Sequence, residues 1–134
     1  MSTIPLLIKR LQEASCVKDA FRSYTGTDWK QHVTYLYGAK CCYPTTIWKQ
    51  KNMELVILGW HDQQEYRYYT NHSAVHTHVL EGELESSVQL MDKHPHSRLL
   101  LTGSFCTISP LSVWQVSSRK TSTSLHLFHT SYMN

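Results

Sequence analysis

His72, His76 and His78 are the residues in this chain whose types and spacing point first to chemistry. His76-Thr77-His78 is an H-x-H pair, and alternate residues of a strand share one face, so both imidazoles could reach a single ion. His72, in the turn before them, could supply a third ligand. His94-Pro95-His96 is a second H-x-H, but it lies in a polar loop, where such pairs arise by chance. His61-Asp62 follows Trp60 at a strand end and reads as turn chemistry. His126, close to His129, invites a role as an acid or base. Cys106 and Ser104 lie in a strand-like run with no nucleophile elbow and no partnered base, which leaves nucleophilic catalysis unsupported. No glycine-rich phosphate loop occurs. Tyr66-Arg67-Tyr68-Tyr69 is an aromatic and basic cluster of the kind that stacks nucleic-acid bases, although two aromatics on one strand face also pack well into a core.

The elements that must position these residues are helices first and strands afterwards. Ile4, Leu7, Ile8 and Leu11 recur at three- and four-residue spacing, with Thr3 as cap and Pro5 in the first turn. A second helix is expected from Val17 to about Tyr24, closed by Gly26, and a third short turn around Trp29–His32. After Tyr35 the segments become short, β-branched and aromatic: Tyr43–Trp48, Glu54–Trp60, Tyr66–Thr70, His76–Leu90, Leu99–Ile108, Ser112–Ser117 and Ser122–Phe128. Turn residues separate them at Lys51-Asn52, Asn71-His72, Asp92–Ser97 and Ser118–Lys120. Leu55-Val56-Ile57-Leu58 is continuously apolar and predicts a strand buried on both faces. Strands without intervening helices indicate an antiparallel sandwich or small barrel rather than βαβ units.

Composition sets outer bounds. The 134 residues suit one domain, 1–134, with a helical lead over 1–35 and a barrel over 36–134. Hydrophobic residues make up 41% and charged residues 17%, too apolar for a disordered chain. Net charge is +3, with Lys and Arg scattered, so a dedicated nucleic-acid surface is not indicated. Cys16, Cys41, Cys42 and Cys106 contain no C-x-x-C spacing for zinc and make a poor disulfide scaffold, so reduced thiols are expected. The sequence shows no signal-peptide pattern and no apolar run of membrane-span length, and the expected location is cytoplasmic.

Val79-Leu80-Glu81-Gly82-Glu83-Leu84-Glu85 resembles the central hairpin of cupin barrels. Glu54–Trp60 resembles the strand leading into the metal loop of cysteine dioxygenases, which are thiol dioxygenases of the cupin superfamily. Ser124-Leu125-His126-Leu127-Phe128 resembles that family's closing S-L-H-L-Y strand, and Asp28-Trp29 before Tyr43 keeps its order. The resemblance covers nearly the whole chain. It implies a mainly β fold, a small double-stranded β-helix (jelly-roll) barrel with short N-terminal helices. It also implies a non-haem Fe(II) site on three histidines, an arginine for the substrate carboxylate, and a cysteine–tyrosine crosslink beside a hydrogen-bonded histidine.

Carried over residue by residue, the family's chemistry is mostly missing. The H-x-H pair falls on Tyr68 and Thr70, and the third ligand on Trp114. The arginine falls on Thr45, the crosslink cysteine on Val75 and its tyrosine on Phe128. Only His126 and Tyr43 keep the expected type. In this register Val75, Thr77 and Val79 face the barrel interior and His76 and His78 face out, as an exposed pair without a physiological metal. Tyr68 and Trp114 would then fill the pocket that iron occupies in the family.

The expectation is a cysteine-dioxygenase-like cupin with a degenerate iron site, a non-catalytic binding or regulatory module with no cofactor and a protein partner. The alternative is an active thiol dioxygenase, converting cysteine to its sulfinate, with Fe(II) on a rearranged set from His72, His76 or His78 with His126. A second alternative is a nucleic-acid-binding module using Tyr66–Tyr69.

Overall fold

Leu55 and Ile57 of one strand pack outward against helices, while Val56, Leu58 and Trp60 of the same strand pack inward against a second sheet. That double burial organises the architecture, which was obtained as a computed structural model describing residues 2–91 and 93–130. Helix α1 spans Ile4–Glu13 and α2 spans Val17–Arg22, followed by a 3-10 turn at Asp28–Gln31. The strands are β1 (Tyr43–Gln50), β2 (Met53–Trp60), β3 (Glu65–Tyr69), β4 (Ala74–Glu81), β5 (Glu83–Leu90), β6 (His96–Leu101), β7 (Phe105–Ile108), β8 (Ser112–Ser118) and β9 (Ser122–His129). They form two antiparallel sheets, one in the order β1-β2-β9-β4-β7 and one in the order β3-β8-β5-β6. The mainly β fold expected from the sequence is the one observed.

The helical lead forms as its pattern dictates. Thr3 Oγ1 accepts a hydrogen bond from the Leu6 amide at 3.2 Å, and Ile4, Leu7 and Leu11 turn one buried face toward the five-stranded sheet. Phe21, Tyr24 and Trp29 complete this outer layer over Leu55, Ile57, Leu125 and Leu127. Asp28 ties the lead together, accepting from the Ile4 amide and the Tyr24 hydroxyl, both at 2.7 Å. Helix α2 stops at Arg22, two residues earlier than its pattern suggests, because Tyr24 turns inward as a core residue.

Three local expectations are corrected. Val79–Glu85 is not a hairpin: β4 pairs with β7 and β9, whereas β5 pairs with β6 and β8. Gly82 is the corner at which the chain changes sheets, with φ +100° and Ser122 Oγ 2.2 Å from where a Cβ would sit. Leu99–Ile108 is likewise two strands in different sheets, because Gly103 breaks the run at φ +89°. His96 and Ser97, expected in a loop, open β6 opposite Val88 and Ser87. Asp92, in the same expected loop, lies outside the described residues.

Candidate functional site at the mouth of the barrel

Trp114 and His126 close the interior between the two sheets. Both are fully buried, with ring centroids 5.2 Å apart. The Trp114 indole N–H donates to Ser86 Oγ at 3.0 Å, and the Trp60 indole N–H donates to Ser124 Oγ at 2.8 Å. His126 sits between two hydroxyls, Nε2 at 2.6 Å from Ser124 Oγ and Nδ1 at 3.1 Å from Thr77 Oγ1. A neutral imidazole satisfies this setting, since one nitrogen donates and the other accepts. Burial without a counter-charge lowers the His126 pKa to about 3, so the ring is uncharged at neutral pH.

Above this floor the barrel opens. Tyr66 and Tyr68 on β3 point inward as a stacked pair with centroids 6.1 Å apart. Phe128 on β9 meets Tyr68 edge-on at 5.1 Å. Glu54 on β2, directly opposite Phe128 in the ladder, adds a carboxylate, held at Oε2 by a 2.7 Å bond from Thr46 Oγ1. With Val56 and Pro44 these groups border an open cavity of about 420 Å³. Burial raises the Tyr68 phenol's pKa, and Glu54 raises it further; for Tyr66 burial again leads, followed by the nearby Cys42 and Tyr68. Both phenols therefore stay protonated.

The positions carried over from the family divide into two groups. Val75 and Phe128 are direct ladder partners on β4 and β9, and Tyr68 and Trp114 are direct partners on β3 and β8. Thr77 and His126 are partners too, so five of the carried-over positions meet inside one barrel. Tyr43 and Thr45 do not join them. Thr45 lies opposite Ile57, which belongs to the helix-side core, and Tyr43 lies opposite Gly59 and is exposed. Pro44 and Thr46, on the alternate face, are the β1 residues that reach the cavity. Thr70 is a turn staple rather than a cavity residue, because its hydroxyl donates to Ser109 O at 2.9 Å and accepts from the Ser112 amide at 2.9 Å.

His76 and His78 face out of the barrel, as the register requires, but they are not exposed. Helix α2 and β7 cover them, and His76 is only 6% accessible, with Phe21 at 6.3 Å and Phe105 at 6.4 Å between ring centroids. Its Nδ1 lies 3.0 Å from Thr107 Oγ1. Burial, then His129 and Lys18, lower the His76 pKa to about 4. Burial and Arg22 lower that of His78, whose Nδ1 is buried with no partner among the described residues. His94 and His96 are exposed. Cys42 and Cys106 are carried as neutral thiols, their pKa values raised first by burial.

These donors do not fit the iron site that the resemblance implies. No three His, Cys, Asp or Glu side chains converge on one point among the described residues, and His72, His76 and His78 do not form a set with His126. His126 faces into the barrel and the other pair faces the helices, with the whole thickness of β4 between them. Trp114 has no lone pair to give a metal.

Glu54 and Ser86 are the site residues that the sequence did not single out. Glu54 is one acid at the head of an apolar strand, and only the ladder shows that it shares a face with Phe128. Ser86 carries no mark in the sequence beyond a hydroxyl at an inward strand position.

No family model matches the chain, and no curated protein matches it. Solved structures do match its fold. A Klebsiella pneumoniae protein with a double-stranded β-helix domain superposes with a TM-score of 0.66 at 14% identity, covering 84% of this chain and 95% of that one. An RmlC-like cupin from Shewanella frigidimarina gives 0.62 at 13% identity, over 83% and 95%. Drosophila melanogaster CENP-C, in a structure where it is bound to CAL1, gives 0.51 at 11% identity, over 59% and 76%. At such identities the likeness is one of architecture. The chain has the double-stranded β-helix fold of the cupins.

Proposed function

We propose that this chain is a cysteine-dioxygenase-like cupin that has kept the barrel without the iron chemistry, and that it works as a non-catalytic binding or regulatory module. The observation that carries this reading is the floor of the barrel. Trp114 stands where the family's third histidine would be, and His126 has both ring nitrogens engaged by Ser124 and Thr77. Tyr68 and Phe128 pack against one another at the positions of a ligand and a crosslink partner. What is left is a shaped, aromatic-lined opening suited to holding a ligand rather than transforming one. A protein partner belongs to the same reading; the fold also occurs in CENP-C, whose structure holds it bound to another protein. No helix of the described residues is long and apolar enough to cross a membrane. A cytoplasmic location is part of the same proposal.

The test is metal content after purification without a histidine tag, followed by oxygen uptake with Fe(II) and free cysteine. Substoichiometric metal and no cysteine-dependent uptake are expected. Stoichiometric iron with cysteine-dependent uptake would establish a thiol dioxygenase with a rearranged site instead.

A further inference from the structure

The cavity at the barrel mouth brings one carboxylate together with a cluster of aromatic rings, and two lysines border it as well. Its acid is Glu54, half-buried, with Oε2 accepting from Thr46 Oγ1. Around it stand three aromatic rings from two facing sheets, Tyr66 and Tyr68 from β3 and Phe128 from β9. Burial raises the pKa of both phenols, so both rings are uncharged. Among the described residues, no arginine borders the cavity. Lys49 and Lys51 border it only at the solvent-exposed rim. Lys49 lies across the ladder from Glu54 yet makes no ion pair with it, as Arg119–Glu85 is the ion pair found among the described residues. Aromatic faces beside a carboxylate attract organic cations, through the ring quadrupole and the charge together. A cavity of about 420 Å³ admits one small ligand or one long side chain.

We propose that the mouth of the barrel binds an alkylated ammonium group, seated against Tyr66, Tyr68 and Phe128 with its charge toward Glu54. This rests on the reading of the chain as a binding module and names the chemistry that the module would recognise. The ammonium has two sources, a free small amine or a trimethylated lysine of a partner protein, and both present the same group to the same surface.

Calorimetric titration of the full chain with choline tests the charge requirement. The control is choline's uncharged carbon isostere, in which a tert-butyl group replaces the trimethylammonium. Saturable one-to-one choline binding is expected, with the isostere about tenfold weaker or worse. Glu54→Gln preserves the acceptor for Thr46 while removing the charge, and should weaken choline by about tenfold without changing the isostere. Phe128→Leu should weaken choline by a factor of several. A peptide carrying trimethyllysine, titrated beside its unmethylated form, separates the two sources by whichever ligand binds more tightly.

Absence of binding by both choline and the methylated peptide at millimolar concentration would overturn the proposal. So would equal affinity for the isostere, or a Glu54→Gln variant that binds choline as the parent does. Iron content and cysteine-dependent oxygen uptake, measured on the same preparation, report separately on the underlying reading. Iron-dependent turnover would overturn that reading whatever choline does, whereas failure of choline with no turnover overturns the cation assignment alone.

Discussion

His126 is fully buried between two hydroxyls with no counter-charge, and burial holds it neutral, so its protonation is coupled to folding. The sign follows from the proton count. The folded-state pKa is about 3 and the unfolded value is about 6.5, so between these the unfolded chain binds the additional proton. His76, with a folded-state pKa of about 4, works in the same direction. Stability is therefore full above pH ~6.5 and is lost as pH falls from there toward the folded values. Thermal melts between pH 8 and pH 4 should show a level Tm down to about pH 6.5 and a steep decline below it. His76→Phe, which retains the packing against Phe21 and Phe105, should make that decline shallower. A Tm that does not change between pH 7 and pH 4 would refute the burial of uncharged histidines. Trp114 gives a second measure at this scale. Trp114→Ala should cost about 3–5 kcal/mol in urea unfolding through the cavity it leaves, and Trp114→Phe about 1–3 kcal/mol because Ser86 loses its buried partner.

Two glycines show what the elements require. At Gly82 the chain passes from one sheet to the other at positive φ, against Ser122, whose Oγ also accepts from the Glu83 amide at 3.0 Å. At Gly59 the Thr34 carbonyl oxygen lies 1.9 Å from where a Cβ would stand, so the crossing segment depends on the missing side chain. Gly59→Ala should therefore destabilise by more than about 2 kcal/mol, and Gly82→Ala by a similar amount, as read from chemical denaturation. Gly38, also at positive φ but with nothing within 4 Å, is the comparison: Gly38→Ala should cost about 1 kcal/mol. The glycine at position 82 was legible in the sequence as a turn, because positive φ favours that residue. Its role as a sheet-to-sheet corner was not, since pairing partners depend on strands distant in the chain. The same limit explains Tyr43 and Thr45. Their family-like spacing was visible, but a register shift in β1 between Thr46 and Trp48, and the pairing with β2, decide which face they take. The apolar run Leu55–Leu58 was readable because burial on two faces leaves no polar residue in the pattern.

At the scale of the whole molecule, one sheet carries two cores. The outer core joins the helical lead to β2 and β9, and the inner core joins the two sheets around Trp60 and Trp114. The histidines divide between these layers, with His126 inside and His76 and His78 under the helices. The sequence pattern placed His76 and His78 outside the barrel correctly, yet left them exposed, because a strand's alternation cannot show that a helix covers its outer face. Leu7→Ala tests the coupling of the layers, with an expected loss of about 2–5 kcal/mol in a single unfolding transition. The central proposal, that the barrel interior holds no metal, is tested most directly by anaerobic Fe(II) titration followed by NMR of the His126 imidazole. The account predicts His126 resonances that stay sharp and unshifted through one equivalent of Fe(II). Saturable paramagnetic broadening or shift of those resonances at one equivalent would contradict it.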